Sequence, residues 1–258
     1  MDKIKFLGTA GARFVVMKQV RAAGGIWLTL DDTNVLIDPG PGSLIRCLAS
    51  RPKLDPLSLD GIILTHRHLD HSNDINIMIE AMTNGGFKKR GIVFAPKDAL
   101  EKDPAILKYV RAYVDKIEVL REKGRYNLGK ISFETPVKHV HGVETYGLNI
   151  KGKNLTVSLI TDTQYFEGLE SYYPGDILII NVVRYEKKPE IQHLALKDIE
   201  QIIASNKPKL SILTHFGMTM ILAKPWEIAD SLSKKHGVKV VAARDGMEID
   251  LEEFRKSL

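Results

Sequence analysis

The chain has 258 residues, 44% of them hydrophobic and 27% charged, with a net charge of +5. That length fits one domain spanning residues 1–258, and the composition is that of an ordinary globular chain rather than a disordered or fibrous one. The lone Cys47 excludes an internal disulfide, and the opening "MDKIKFLGTAGA" lacks the apolar run of a signal peptide or membrane span, so a cytoplasmic location without a membrane partner is expected. The mild positive charge suits an anionic substrate, although lysines are spread along the chain and read first as a solvated surface.

In chain order, "KIKFLG", "GGIWLTL" and "TNVLID" read as early strands separated by turns, and "GSLIRCLAS" as a short helix. "GIILT" is a buried strand entering a histidine-rich stretch. "INIMIEAMTNGG" then carries apolar residues at helical spacing and stops at a glycine pair. "GIVFA", "KIEVL", "ISFETPV", "TYGLNI", "LTVSLIT" and "DILIINVV" are further strands. "LALKDIEQIIASN" is an amphipathic helix, "KLSILTH" a strand, "PWEIADSLSKKHG" a helix opened by Pro and closed by Gly, and "VKVVAA" a strand. The order predicts the α/β class, with two sheets packed face to face and helices outside.

The stretch "LTHRHLDHSND" concentrates His66, His68, Asp70 and His71 within six residues. In a loop at a strand's carboxyl end, side chains at i and i+2 converge, so His66 and His68 can hold one ion. Asp70 and His71 can point to a second. Imidazole with carboxylate suits zinc, manganese or iron. A second ion needs further ligands, and His141, Asp162 and His215 each follow a β-rich run as His66 does. A layered fold exposes such positions along one rim. Two divalent ions roughly 3.5–4 Å apart can share a hydroxide and clamp a phosphoryl or carbonyl oxygen. Asp70 would orient that water or take its proton, and no serine or cysteine nucleophile is required.

"THRHLDH", the histidine of "HGVETYG", "ITDTQ" and "LTHFG" together resemble the metallo-β-lactamase-fold hydrolases. "FLGTAGA", "VLIDPGPG" and "VAARDGMEIDL" bring the resemblance nearest to ribonuclease Z and related phosphodiesterases. The resemblance implies a four-layer αββα sandwich with a dinuclear metal site on one edge. It implies that His66, His68 and His141 hold one ion, that Asp70, His71 and His215 hold the other, and that Asp162 bridges them. In such phosphodiesterases a histidine placed like His193, in "PEIQHLALKD", protonates the departing oxygen, so catalytic roles are expected for Asp70 and His193. A surface histidine at a helix start is the plainer alternative for His193.

Other features read more modestly. His139 would share a strand face with His141 and support or pack rather than ligate. His236 fits a favourable helix-dipole contact. "GTAGA" lacks the Lys-Ser/Thr of a phosphate loop and reads as a tight turn. Asp38 either hydrogen-bonds a ligand histidine or serves turn chemistry. Only residues 142–161 separate His141 from Asp162, too few for the transfer-RNA-gripping arm of ribonuclease Z, so transfer RNA is not the expected partner. The expected function is a metal-dependent phosphodiesterase using two ions, zinc foremost, on a small cyclic or nucleotide-like phosphodiester by attack of metal-bound hydroxide. A lactone, ester or thioester hydrolase and a non-catalytic metal or nucleic-acid-binding module are the alternatives. A homodimer is left open.

Overall fold

The computed structural model describes residues 1–255. Their strands form two seven-stranded sheets. The first holds β1 (Lys3–Phe6), β2 (Ile26–Leu30), β3 (Thr33–Ile37), β4 (Gly61–Ile63), β5 (Ile92–Pro96), β6 (Lys116–Leu120) and, at the edge beside β1, β14 (Glu248–Asp250). The second runs in reverse order from β13 (Lys239–Ala242) through β12 (Leu210–Thr214), β11 (Ile177–Asn181), β10 (Thr156–Ile160), β9 (Leu148–Lys151) and β8 (Ile131–Thr135) to β7 (Gly124–Leu128). Each sheet passes from antiparallel to parallel pairing: β3 to β6 are parallel in the first, β10 to β13 in the second.

Side-chain alternation sets the layers. Ile26, Leu28 and Leu30 of β2 join Leu159, Ile179 and Ile212 of the second sheet in the core between the sheets. Trp27, between them in sequence, faces the other way, toward Cys47 of α2 (Ser43–Ala49) and Met78 of α4 (Ile75–Met82). In β11, Ile177 and Ile179 face the sheet partner, while Leu178 and Ile180 pack on α5 (Leu196–Asn206) and α7 (Pro225–His236). Burying one such aliphatic side chain stabilises the fold by about 1.5–3 kcal/mol. These strands are apolar on both faces because each sheet is covered on both faces. The result is a four-layer αββα sandwich, as the sequence implies.

The helices end as their sequences ask. Asp198 in the first turn of α5 accepts a hydrogen bond from the backbone N–H of Ala195 at 3.0 Å. α7 begins at Pro225 and closes on Gly237 at φ +66, with Lys234, Lys235 and His236 in its last turn. No helix among the described residues is long and apolar enough to cross a membrane.

Five strand ends share one rim. β3 leads into Asp38, β4 into Thr65 and His66, β10 into Asp162, β11 ends at Asn181, and β12 leads into His215. Parallel pairing of β3 with β4, and of β10, β11 and β12, brings these ends together. The 142–161 interval is the β9–β10 hairpin, and residues 163–214 are filled by β11, α5 and β12.

Several elements differ from the sequence expectation. α1 (Ala12–Met17), α3 (Leu69–Ser72), α6 (Met218–Leu222), β7 and β14 are additional. Asp70 and His71 lie on the one-turn α3 rather than in an open loop. His139 lies on no strand: between β8 and β9 only the isolated bridge Lys138↔Tyr146 is paired.

Candidate metal centre

The geometry is easiest to follow from hydrogen-bond direction. A carboxylate or carbonyl oxygen only accepts, so an imidazole nitrogen facing one must donate, which leaves the other nitrogen with its lone pair. His71 Nδ1 lies 2.9 Å from Asp38 Oδ2, and His141 Nδ1 lies 3.1 Å from the Gln192 carbonyl. Thr65 Oγ1 gives its hydrogen to Asp38 Oδ2 at 2.7 Å, so it accepts from His66 Nδ1 at 3.1 Å. In this arrangement the Nε2 atoms of His66 and His141 turn inward with bare lone pairs, and His71 Nε2 turns inward toward Asp162.

There they meet one another and Asp162. His66 Nε2 is 3.9 Å, His71 Nε2 3.5 Å and His141 Nε2 4.0 Å from Asp162 Oδ2, and His215 Nε2 is 3.4 Å from Oδ1. His71 Nε2 and His215 Nε2 approach to 3.3 Å, and His141 Nε2 and His68 Nδ1 to 3.1 Å. Asp70 Oδ2 stands 3.6 Å from His215 Nε2. His66 Nε2 is buried without a hydrogen-bond partner. Donor atoms gather within 4.8 Å of one another in His66–His68–His141 and in Asp70–His71–His215, the two triplets expected from the sequence. Two more groupings appear, Asp38–His66–His71 and His141–Asp162–His193.

The charge balance fits a cation. Burial pushes His66, His68 and His141 below their usual pKa, keeping them neutral, as ligation requires. His71 also loses solvent, but Asp38, Asp162 and Asp70 outweigh that loss and hold it well above its usual value. Burial works against the Asp162 charge too, yet His215, His193 and His71 keep its carboxyl well below the usual range. Three carboxylates among these imidazoles attract positive charge, which a proton on His71 supplies and which divalent cations could supply in its place.

Asp38 is not free to ligate, because both its oxygens are engaged. Oδ1 accepts from the Thr65 N–H at 2.7 Å, and Oδ2 from Thr65 Oγ1 and His71 Nδ1. It orients His71, the hydrogen-bonding role of its two sequence readings. Asp38 and His215 have left-handed backbones at φ +54 and +58, a conformation that costs on the order of 1–3 kcal/mol and clusters at functional sites. Close approach explains the glycine-rich "GTAGA": a Cβ on Gly11 would sit 2.1 Å from the His215 carbonyl oxygen.

Burial pulls His139 down to about 4, so it is neutral. Its Nδ1 donates to the Asp162 carbonyl at 3.2 Å, and Nε2 accepts from Tyr173 Oη at 2.5 Å. It therefore supports the backbone of Asp162, as sequence reasoning allowed. His193 lies in the cluster: Nδ1 is 3.6 Å from Asp162 Oδ2 and buried without a hydrogen bond. His236 ends α7, with Nε2 3.6 Å from Glu200 on α5.

Sequence reasoning missed Asn181, whose Nδ2 donates to Asp162 Oδ1 at 2.9 Å. The signal was present, since a polar residue closing an apolar strand is the feature that marks Asp162 and His215.

Residues 33–216 match the β-lactamase superfamily domain. The chain belongs to the β-lactamase superfamily. Over 96% of its length it is 28% identical to an uncharacterized protein of Methanocaldococcus jannaschii, covering 95% of that relative. Ribonuclease Z of Thermoplasma volcanium is 27% identical over 59% of this chain and 49% of its own length. The crystal structure of the metallo-β-lactamase fold protein YhfI from Bacillus subtilis superposes with a TM-score of 0.79 at 19% identity, covering 96% of this chain and 98% of that one. Within the superfamily the chain stands near the ribonuclease Z branch, and it is a metal-dependent hydrolase.

Proposed function

We propose that the chain is a phosphodiesterase using two divalent cations, zinc foremost, on small cyclic or nucleotide-like phosphodiesters. His66, His68 and His141 would hold one ion, Asp70, His71 and His215 the other, and Asp162 both. When bound, two such ions supply Lewis acidity, lowering the pKa of water to about 7 and stabilising charge on a phosphoryl oxygen. Asp38, Thr65 and the Gln192 carbonyl fix the imidazole rings so that their lone pairs converge. Asp70 lines the groove as well as the cluster, and there it orients the attacking water. No covalent intermediate is needed. Cys47, the chain's one thiol, is buried in α2 and burial pushes it up to about 12.

The observation that supports phosphodiester chemistry best is His193. It lies outside the two triplets, lines the same groove as His68, Asp70 and Asp162, and turns Nδ1 toward Asp162. With Nδ1 carrying its hydrogen toward Asp162, the ring acts as an acid only in its imidazolium form, from which Nε2 would give a proton to a departing alkoxide. The similarity to ribonuclease Z supports the same class of bond.

The test is the leaving group. A positioned acid contributes typically about 10²–10⁴-fold. His193→Ala should slow a diester with an alkoxide leaving group by that factor and a p-nitrophenyl diester far less, with metal content unchanged. Equal losses on both substrates would remove the acid role, and loss of metal would make His193 a ligand. Lactones and thioesters assayed beside them should turn over poorly. Faster turnover of those than of any phosphodiester would move the chain to carbonyl chemistry.

A further inference from the structure

The groove above the cluster has a volume of about 580 Å³, a size that takes a nucleotide-like ligand. His68, Asp70, Asp162 and His193 line it. So do two arginines, Arg13 on α1 and Arg184 just beyond β11.

Arginines elsewhere in the chain are in part satisfied within the fold. Arg21 donates to Thr9 Oγ1 and the Ala243 carbonyl, Arg111 to the Leu100 and Ile106 carbonyls, and Arg255 to Asp31. Among the described residues, neither Arg13 nor Arg184 makes a side-chain hydrogen bond or an ion pair. Arg184 Nε is moreover shielded from solvent without a hydrogen-bond partner. Arg184 is only half-buried, but a shielded N–H left unpaired calls for a partner. Its backbone is fixed by the stretch that carries His193: the Arg184 N–H donates to the Leu194 carbonyl at 3.3 Å, and Arg184 bridges Ala195. The carboxylates lining the groove, Asp70 and Asp162, already face the histidines. A planar fork of N–H donors beside such a site matches a phosphate.

The remaining wall is apolar and open. Phe14 is 61% exposed and Leu69 73% exposed, and both line the groove. An aromatic face stacks on any nucleobase.

We infer that Arg13 and Arg184 form a subsite for a terminal phosphate, and that the substrate is a short linear diester, a 5′-phosphorylated dinucleotide, with one base lying on Phe14 and Leu69. This rests on the phosphodiesterase reading of the metal centre and narrows it. A cyclic mononucleotide has a single phosphate, already claimed by the cluster, and would leave the shielded Arg184 Nε unpaired. In the reaction, the oxygen of water bonds to the diester phosphorus and the bond to the leaving sugar oxygen breaks. His193 protonates that oxygen and the water proton restores the acid, giving one alcohol and one phosphomonoester.

The test compares diadenosine dinucleotide with and without a 5′-phosphate on the full metal-loaded chain. The phosphorylated form should show a kcat/KM at least ~10-fold higher, mostly through KM, as expected for a charged hydrogen-bonded contact. Arg184→Ala should shrink that preference below about twofold, Arg184→Lys should keep part of it, and Arg13→Ala should reduce it less. No preference in the wild type, or a preference intact in Arg184→Ala with circular dichroism unchanged, would overturn the subsite. Turnover of bis(p-nitrophenyl) phosphate judges the parent reading separately: if it proceeds while the preference is absent, only the subsite fails. If no diester is hydrolysed, calorimetric binding of 5′-adenosine monophosphate against adenosine still decides. Tighter binding of the monophosphate, lost in Arg184→Ala, would support the subsite. Equal binding of the two ligands would overturn it.

Discussion

The two rims of the sandwich share β3 and β10 and differ in what they leave unpaired. At the far rim, the β2–β3, β7–β8 and β9–β10 turns surround an open groove of about 710 Å³, larger than the one above the histidines. The charges there are matched: Lys130 Nζ lies 2.7 Å from Asp32, and Asp31 accepts from Arg255 at 3.0 Å and from the Lys153 N–H at 2.5 Å. At the near rim, six of the chain's eight histidines crowd around three carboxylates, and His66 Nε2 and His193 Nδ1 are buried without partners. Cavity size therefore points to the wrong end. Buried lone pairs aimed at a common point mark the right one, because leaving them unpaired is costly unless something binds there.

If that contrast is real, acid should attack the near rim first. His139 keeps a pKa of about 4 in the folded chain against its usual 6.5. As pH falls through about 6.5, the unfolded chain takes up this proton and the folded chain does not. Stability is therefore intact above 6.5, falls between 6.5 and 4, and levels off below, a loss of about 3 kcal/mol. Urea unfolding from pH 7.5 to 4 measures it, and His139→Gln should flatten that slope. An unchanged slope in the variant would assign the acid sensitivity elsewhere.

The orientation of the lone pairs can be broken without touching a ligand. Asp38→Asn removes the carboxylate that holds His71 Nδ1 and Thr65. Metal affinity should fall roughly 10–100-fold, the usual consequence of losing a group that orients a ligand. A competition assay with a chromogenic chelator reads it. An unchanged affinity would mean the imidazoles are held by packing alone.

The far rim supplies the smallest effect. Asp32→Ala and Lys130→Ala break an exposed pair, and such pairs contribute little. Neither the melting temperature nor the metal affinity should move beyond experimental error. A clear change in metal affinity would show that the rims communicate.

Much of this was legible in one dimension because candidate ligands sit at strand ends, and strand ends announce themselves as polar residues closing apolar runs. His66, Asp162 and His215 are of this kind. His68, Asp70 and His71 follow from His66 by proximity. Short or weakly patterned elements were not legible. β7 ("GRYNL") offers only Tyr126 and Leu128 as buried hydrophobic side chains, and α1 has six residues and no side-chain cap. His139 looked like a strand residue, yet the chain leaves β8 at Thr135 and does not pair regularly again until Leu148. Contacts across the sandwich were invisible for a different reason. Asn181 to Asp162, Thr65 to Asp38 and Arg184 to the groove depend on which strand ends become neighbours, and sheet order is not written in local periodicity.

The central claim is that one carboxylate, Asp162, ties two metal positions together. Metal content after loading with zinc and desalting tests it directly, using elemental analysis of the wild type and Asp162→Ala side by side. The wild type should approach two equivalents per chain and the variant should fall well below one, because both positions lose a ligand. Two equivalents retained in Asp162→Ala, or fewer than one in the wild type, would contradict the account.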